Sequence, residues 1–303
     1  MPGQSRFPLP LIAAFFALYV IWGSTYLVIR IGVEYWPPLM LGGIRFVIAG
    51  GLMYAFLRWR GVPAPTWAQW KAAGMIGILL LSCGNGAVTV AEHSGVTSGV
   101  AALAVATVPL FTLLCGYFWG ARNTRLEWAG IMLGMIGIGM LNLGSNLQSS
   151  PLGAGLLLFA AAAWAFGSVW SKHLPLPQGA MASAAEMLVG GVVLLIGSAL
   201  SGERLEAVPP LEGWLALLYL IGFGSIIAFN AYMYLLKHVR PAAATSYAYV
   251  NPAVAVLLGI VFIGETIGIE EAVAMVVIIS AVVLIGLPQW RKSKSKVVVQ
   301  ESA

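Results

Sequence analysis

The stretch Ala244–Glu265 reads ATSYAYVNPAVAVLLGIVFIGE, and it decides how the rest of the chain is interpreted. It is apolar enough to lie in a lipid bilayer, yet Asn251 and Pro252 fall in its first half. A proline inside a helix removes a backbone hydrogen bond and kinks the helix. In a membrane the freed carbonyl needs a partner or a water-filled cavity, so the stretch predicts an interrupted helix beside a solute site.

A second copy of this pattern lies 143 residues earlier, where Pro109 corresponds to Pro252. Both prolines are predicted helix kinks. The beginning of the chain repeats as well, because residues 22–24 (WGS) correspond to residues 166–168 (FGS) at an offset of 144. The sequence therefore predicts an internal duplication.

The composition excludes a soluble globular protein, since 60% of the 303 residues are hydrophobic and 9% are charged, whereas soluble domains carry roughly 25% charged residues. A membrane-spanning helix needs about 20 apolar residues, and ten such segments fit the chain. Their predicted bounds are 9–30, 38–58, 70–90, 96–118, 126–145, 152–172, 180–200, 213–236, 242–263 and 271–288. The predicted fold is an all-α polytopic membrane protein with ten transmembrane helices.

Five helices fall in each predicted repeat, over residues 9–145 and residues 152–288. Because five is odd, the second repeat enters the membrane with the opposite sense, and the repeats are inverted.

The distribution of basic residues predicts the orientation. With both termini in the cytoplasm, thirteen of the 16 Lys and Arg residues lie on the cytoplasmic side, and only Arg30 and Arg204 lie outside. The positive-inside rule favours this arrangement. The tail, residues 289–303, is basic and suits an anionic lipid surface. The basic residues form no aromatic-interleaved patch, so nucleic acid is not a predicted partner.

Several motifs resemble a known family: WGSTYLVIRIGVEYWPPL (22–39), GNGAVTVAEH (84–93) and ATSYAYVNPAVAVLLG (244–259). They are similar to the EamA family of the drug/metabolite transporter superfamily, over about residues 9–288. The resemblance implies a bacterial inner-membrane secondary transporter, commonly an exporter of metabolites or amino acids, with a central cavity between its repeats. Repeat two has the family's Gly-Glu at residues 264–265, whereas repeat one has Ala-Arg at residues 121–122.

Two ionisable side chains, Arg45 and Glu186, lie inside predicted helices. An ionisable residue at mid-helix costs about 2.5–3.5 kcal/mol even on the milder insertion scales, so both are candidate functional groups. One interpretation pairs Arg45 with Glu34 and Glu186 with Lys172. The other has Glu186 binding a cationic group or carrying a coupling proton, and Arg45 anchoring a carboxylate.

Deep aromatic and polar side chains supply the other candidates, with core packing as the alternative. Aromatic belts belong at the membrane interfaces, and Trp22, Tyr26, Tyr232 and Tyr247 lie too deep for that. The predicted substrate-binding residues are Trp22, Tyr26, Asn85, Thr89, Trp164, Trp170, Glu186, Tyr232, Tyr247 and Asn251. Such a lining favours apolar, aromatic or cationic solutes.

We therefore predict a secondary transporter that exports a small metabolite or amino acid by alternating access. A channel-like facilitator is the nearer alternative, and an intramembrane enzyme or a receptor is a more distant one. The chain has no Asp, and none of its three His lies mid-membrane, so no catalytic residue, cofactor or metal site is predicted. A monomer is compatible with the sequence, which leaves the solute, the coupling ion and the oligomeric state open.

Overall fold

The computed structural model describes residues 9–94, 105–141, 151–251, 253–254, 269, 272–285 and 287, and no strand occurs among them. Each of the ten predicted segments contains a helix. The bounds are α1 Leu9–Tyr35, α2 Pro38–Trp59, α3 Trp67–Gly77 continued by Ile78–Gly86 and Ala87–His93, α4 Val108–Gly116, α5 Arg125–Leu141, α6 Pro151–Trp170, α7 Ala180–Leu200, α8 Leu211–Tyr219 continued by Leu220–Phe229 and Asn230–His238, α9 beginning as Pro241–Ala244, and α10 Ala272–Ile285.

Six of these helices, α1, α2, α3, α6, α7 and α8, are long and apolar enough to cross a membrane. The α4 and α10 helices are shorter and also apolar. A polytopic, all-helical membrane protein is confirmed. The predicted basic tail, residues 289–303, lies outside the described residues.

Helices from the first half of the chain pack against helices from the second half in reciprocal pairs. The α2 helix lies along α7, which is its predicted equivalent. The α1 helix packs on α8, and α3 packs on α6. These two contacts are equivalent, because α6 is the predicted counterpart of α1 in the second half of the chain and α8 is the predicted counterpart of α3. A two-fold relation between equivalent units produces such self-complementary contacts, as the predicted inverted repeats require.

Glycines let these helices approach backbone to backbone. A Cβ atom at Gly50 of α2 would lie 2.9 Å from the Ala184 carbonyl oxygen of α7, and one at Gly191 would lie 2.8 Å from the Val47 nitrogen. Helices in lipid gain no hydrophobic free energy from association, so small residues stabilise such crossings by allowing close van der Waals packing. The α7 helix is thereby packed backbone to backbone against α2.

The helices α3 and α8 each contain a π-helical stretch at the same place in its half of the chain. Ile78–Gly86 and Leu220–Phe229 are separated by about the same 143 residues as the two prolines. Neither stretch contains a proline, and the sequence pattern did not predict them. Extended π-helix is rare, and π-helical turns concentrate at functional sites.

The structure differs from the prediction at the prolines. Pro109 lies in the first turn of α4, and a turn at residues 106–107 precedes it. Proline is tolerated there because its missing N–H would have had no helical partner, so Pro109 shapes the start of α4 instead of bending its middle. The α9 helix is broken at Thr245 and Ser246. Pro252 lies outside the described residues.

Candidate solute chamber

A chamber lies between the two halves of the chain, with walls from α1, α2, α3, α4, α6, α8 and α9. The chamber has a volume of about 90 Å³, and one buried water needs about 10–15 Å³ of such space. The space therefore suits a small metabolite. Its polar and aromatic wall residues are Trp22, Thr25, Arg45, Phe46, Asn85, Trp164, Phe229, Tyr247 and Asn251.

Trp22 of α1 lies at the centre of an aromatic cluster. Its ring centroid lies 4.8 Å from that of Tyr247, 5.3 Å from that of Tyr232 and 5.6 Å from that of Trp164. The Trp22 indole nitrogen donates a hydrogen bond of 3.1 Å to the carbonyl of Gly224, in the π-helical stretch of α8. Edge-to-face packing and this bond together fix one rigid aromatic wall.

Tyr232 stands behind this wall. It is fully buried, and its hydroxyl accepts a 3.0 Å hydrogen bond from the Trp164 indole and also bonds to Ser168. It therefore orients Trp164 without lining the chamber. Trp170 is also outside the wall, with its ring 5.5 Å from that of Phe166.

Two asparagines supply amide groups to the chamber, Asn85 from α3 and Asn251 from α9. With its amide oriented to suit its neighbours, Asn251 donates to the carbonyls of Tyr19 at 3.3 Å and Tyr247 at 3.2 Å. It thereby ties α9 to α1. Thr89 does not reach the wall, because its hydroxyl donates to the carbonyl of Asn85 in the preceding turn, a common local bond for threonine.

Arg45 of α2 is the charged residue of the wall. Only 5% of it is exposed, its Nε donates a 2.7 Å hydrogen bond to the hydroxyl of Ser225, and its guanidinium carbon lies 4.8 Å from the centroid of the Phe46 ring. No carboxylate of the described residues lies within 4.0 Å of it. The local pair with Glu34 is therefore not formed.

Glu186 of α7 is fully buried and lies outside the chamber wall. Neither its carboxylate oxygens nor the hydroxyl of Ser183, one turn earlier, has a hydrogen-bond partner among the described residues. The local pair with Lys172 is not formed, because the Lys172 ammonium donates to the carbonyl of Val239. An unpaired buried carboxyl group is costly and needs a functional explanation.

The structure thus brings five of the ten predicted site residues to one chamber: Trp22, Asn85, Trp164, Tyr247 and Asn251. Four lie away from its wall: Thr89, Trp170, Glu186 and Tyr232. The side chain of Tyr26 lies outside the described part of the chain. Thr25 and Arg45 also line the chamber, although neither is among the ten predicted substrate-binding residues. The sequence did indicate Arg45 as a candidate functional group, because its charge lies in an apolar segment.

The sequence matches a model of the EamA-like transporter family twice, over residues 9–143 and residues 151–287. The chain belongs to the EamA-like transporter family. Two EamA segments make up the protein, and members of this family are membrane transporters of small metabolites. The chamber lies where the EamA resemblance implies a central cavity.

Known proteins agree with this assignment. The chain is 57% identical over 282 residues to the uncharacterized inner membrane transporter YedA of Escherichia coli strain K12, covering 93% of this chain and 92% of YedA. It is 27% identical over 272 residues to a probable amino-acid metabolite efflux pump of Salmonella typhimurium, covering 85% and 89%. A crystal structure at 21% identity superimposes with a TM-score of 0.74 over 92% of this chain and 97% of that one, which shows a shared fold.

Proposed function

We propose that this EamA transporter is a secondary carrier that exports a small metabolite or amino acid across the bacterial inner membrane by alternating access. Both termini lie in the cytoplasm. The solute binds in the chamber among Trp22, Asn85, Trp164, Tyr247 and Asn251. Rocking of one repeat against the other exposes the chamber to each side in turn.

The chamber itself carries this proposal, because both repeats contribute to its wall. Trp22 and Asn85 come from repeat one, whereas Trp164, Tyr247 and Asn251 come from repeat two. A site at the interface of two repeats changes its access whenever the repeats move relative to each other. The names of the relatives, an inner membrane transporter and an amino-acid metabolite efflux pump, support the membrane and the solute class.

The first experiment is counterflow in liposomes that contain the purified protein. Vesicles preloaded with one unlabelled amino acid at a time should transiently accumulate the labelled form, because a carrier exchanges solute through a single site. The Ala161→Leu variant fills the chamber and should reduce counterflow by about tenfold or more. Phe159→Leu is the matched control, since Phe159 lies on the same helix and is 53% exposed. Solute flux without counterflow would identify a channel instead.

We further propose that Glu186 carries a coupling proton. A buried carboxyl group without a hydrogen-bond partner is stable as the neutral acid, and it needs a cation nearby when it ionises. Lys237, near the end of α8, is close enough to interact electrostatically with Glu186. Protonation of Glu186 and movement of α7 relative to α8, which carries Lys237, would then be linked.

The Glu186→Gln variant keeps the size of the side chain and removes its proton. We expect the wild type to transport faster when a pH gradient is imposed, and the variant to transport at one rate with or without the gradient. Counterflow, which needs no gradient, should persist in the variant. If the wild type ignores the gradient and Glu186→Gln transports normally, the protein is a uniporter and the coupling proposal is wrong.

A further inference from the structure

The chamber carries a positive charge that no described wall residue balances. Arg45 lines it, and the other described wall residues are aromatic, aliphatic, glycine, threonine or asparagine. Glu186, the buried acid of α7, does not belong to the wall. A cation in an apolar membrane site normally pairs with an acid or with backbone carbonyls. Here a partner has to come from outside the described residues, and the chamber is where a solute would supply it.

The contacts of Arg45 hold one side of the guanidinium group and leave its end available. Ser225 accepts from Nε at 2.7 Å, whereas the two terminal nitrogens donate to no described residue. Gly224, the neighbour of Ser225, makes room for the guanidinium group, since a Cβ atom there would lie 2.8 Å from Nη2. The π-helical stretch of α8 therefore orients the guanidinium group through Ser225 and accommodates it at Gly224, while its terminal N–H groups keep no described acceptor.

We propose that Arg45 binds a carboxylate of the transported solute and thereby determines specificity. The planar guanidinium group offers two parallel N–H donors whose spacing matches a carboxylate. This inference rests on the proposed transport function and specifies which end of the solute is recognised and by which residue. It also narrows the solute class that the aromatic residues alone suggested, from apolar, aromatic or cationic solutes to carboxylic acids with an apolar body.

The rest of the wall defines the other end of the solute. Leu81, Val88, Leu157 and Ala161 form apolar surfaces, and Trp22 adds an aromatic one. An apolar body would lie against these residues while the carboxylate faces α2 and α8. One arginine balances one negative charge, so a monocarboxylate fits this chamber better than a phosphate ester with two charges.

Binding to the purified wild-type protein in detergent tests the inference without any variant. The probes share a phenyl or an isobutyl group. The acids are L-phenylalanine, 3-phenylpropionate, L-leucine and 4-methylpentanoate. The compounds without a carboxylate are L-phenylalaninamide, L-leucinamide and phenethylamine, and phenyl phosphate represents the phosphate esters. The thermal unfolding midpoint is measured against ligand concentration. At least one acid should bind about tenfold or more tightly than its carboxylate-free counterpart, as expected for a charge-assisted bidentate pair.

Variants connect that preference to Arg45. Arg45→Gln should lose the preference for the acid over its amide, and Arg45→Lys should keep part of it, because lysine retains the charge but not the fork. Arg60→Gln is the matched control, since Arg60 is exposed at the end of the same helix. If Arg45→Gln fails to fold, the inference is still tested by the comparison of acids with amides on the wild type and by the acid preference of Arg45→Lys.

The outcomes separate this inference from the transport proposal. Acids that bind through Arg45 without any counterflow would support the inference and remove the carrier function. Counterflow of amines or amides in preference to acids would support the carrier and overturn the role of Arg45. The inference also fails if no acid of the panel binds, if amides bind as tightly as acids, or if phenyl phosphate binds most tightly.

Discussion

Replacing Gly77 by alanine is expected to remove most of the folded protein from the membrane. The helices α3 and α7 touch backbone to backbone at this residue, and a Cβ atom would lie 2.2 Å from the carbonyl oxygen of Glu186. The contact is reciprocal, since a Cβ atom at Gly190 would lie 2.7 Å from the Gly77 carbonyl oxygen. No side-chain rotation relieves a clash with backbone, so the helices would have to separate. Destabilisation should reach or exceed the upper end of the about 1–3 kcal/mol that is typical of overpacking.

Gly51→Ala is the matched control, because it makes the same chemical change inside α2, where a Cβ atom would meet nothing within 4 Å. Both variants would be compared by monodisperse yield in size-exclusion chromatography and by thermal midpoint in detergent. Gly51→Ala should match the wild type or exceed it slightly, since alanine favours helix. Equal stability of the two variants would show that α3 and α7 are not in direct backbone contact.

The sequence predicted the helices well because bilayer thickness fixes their length. The predicted segment 180–200 has the same bounds as α7, and the end of α2 was missed by one residue. The π-helical stretches could not be foreseen, since periodicity in a uniformly apolar segment carries little information about hydrogen bonding. A weak signal existed in the equivalent residues Ser82 and Ser225, each within two residues of a glycine.

The site was only partly predictable, because depth in the membrane does not specify which way a helix face points. Trp22, Asn85 and Asn251 reach the chamber. Thr89, one turn from Asn85, does not, and its hydroxyl donates a hydrogen bond to a backbone carbonyl instead. Arg45 was recognised as an intramembrane charge, but its neighbour Ser225 is 180 residues away. Such a partner emerges only from the packing of the two repeats.

A second large loss of stability is expected when the ion pair between Glu127 of repeat one and Arg240 of repeat two is broken. This is the ion pair found among the described residues. Glu127, 1% exposed in the first turn of α5, accepts from Nε and Nη2 of Arg240, which lies just before α9. It also accepts from the backbone and hydroxyl of Thr124. Arg240→Gln would leave the carboxylate buried without its cation. Removing one partner of a buried pair costs about 3–5 kcal/mol, and the partial exposure of Arg240 places the expected loss near the lower figure.

A double-mutant cycle tests whether the pair, and not the arginine alone, provides that stability. Glu127→Gln together with Arg240→Gln should be more stable than the sum of the two single losses predicts, because no charge then remains buried. Arg125→Gln is the control, since it makes the same chemical change at an exposed residue of α5, the helix that carries Glu127. If Arg240→Gln is as stable as Arg125→Gln, the pair contributes nothing. In the proposed alternating-access cycle the pair would break when the repeats separate at the start of α9, so Arg240→Gln should favour the conformation that is open on that side.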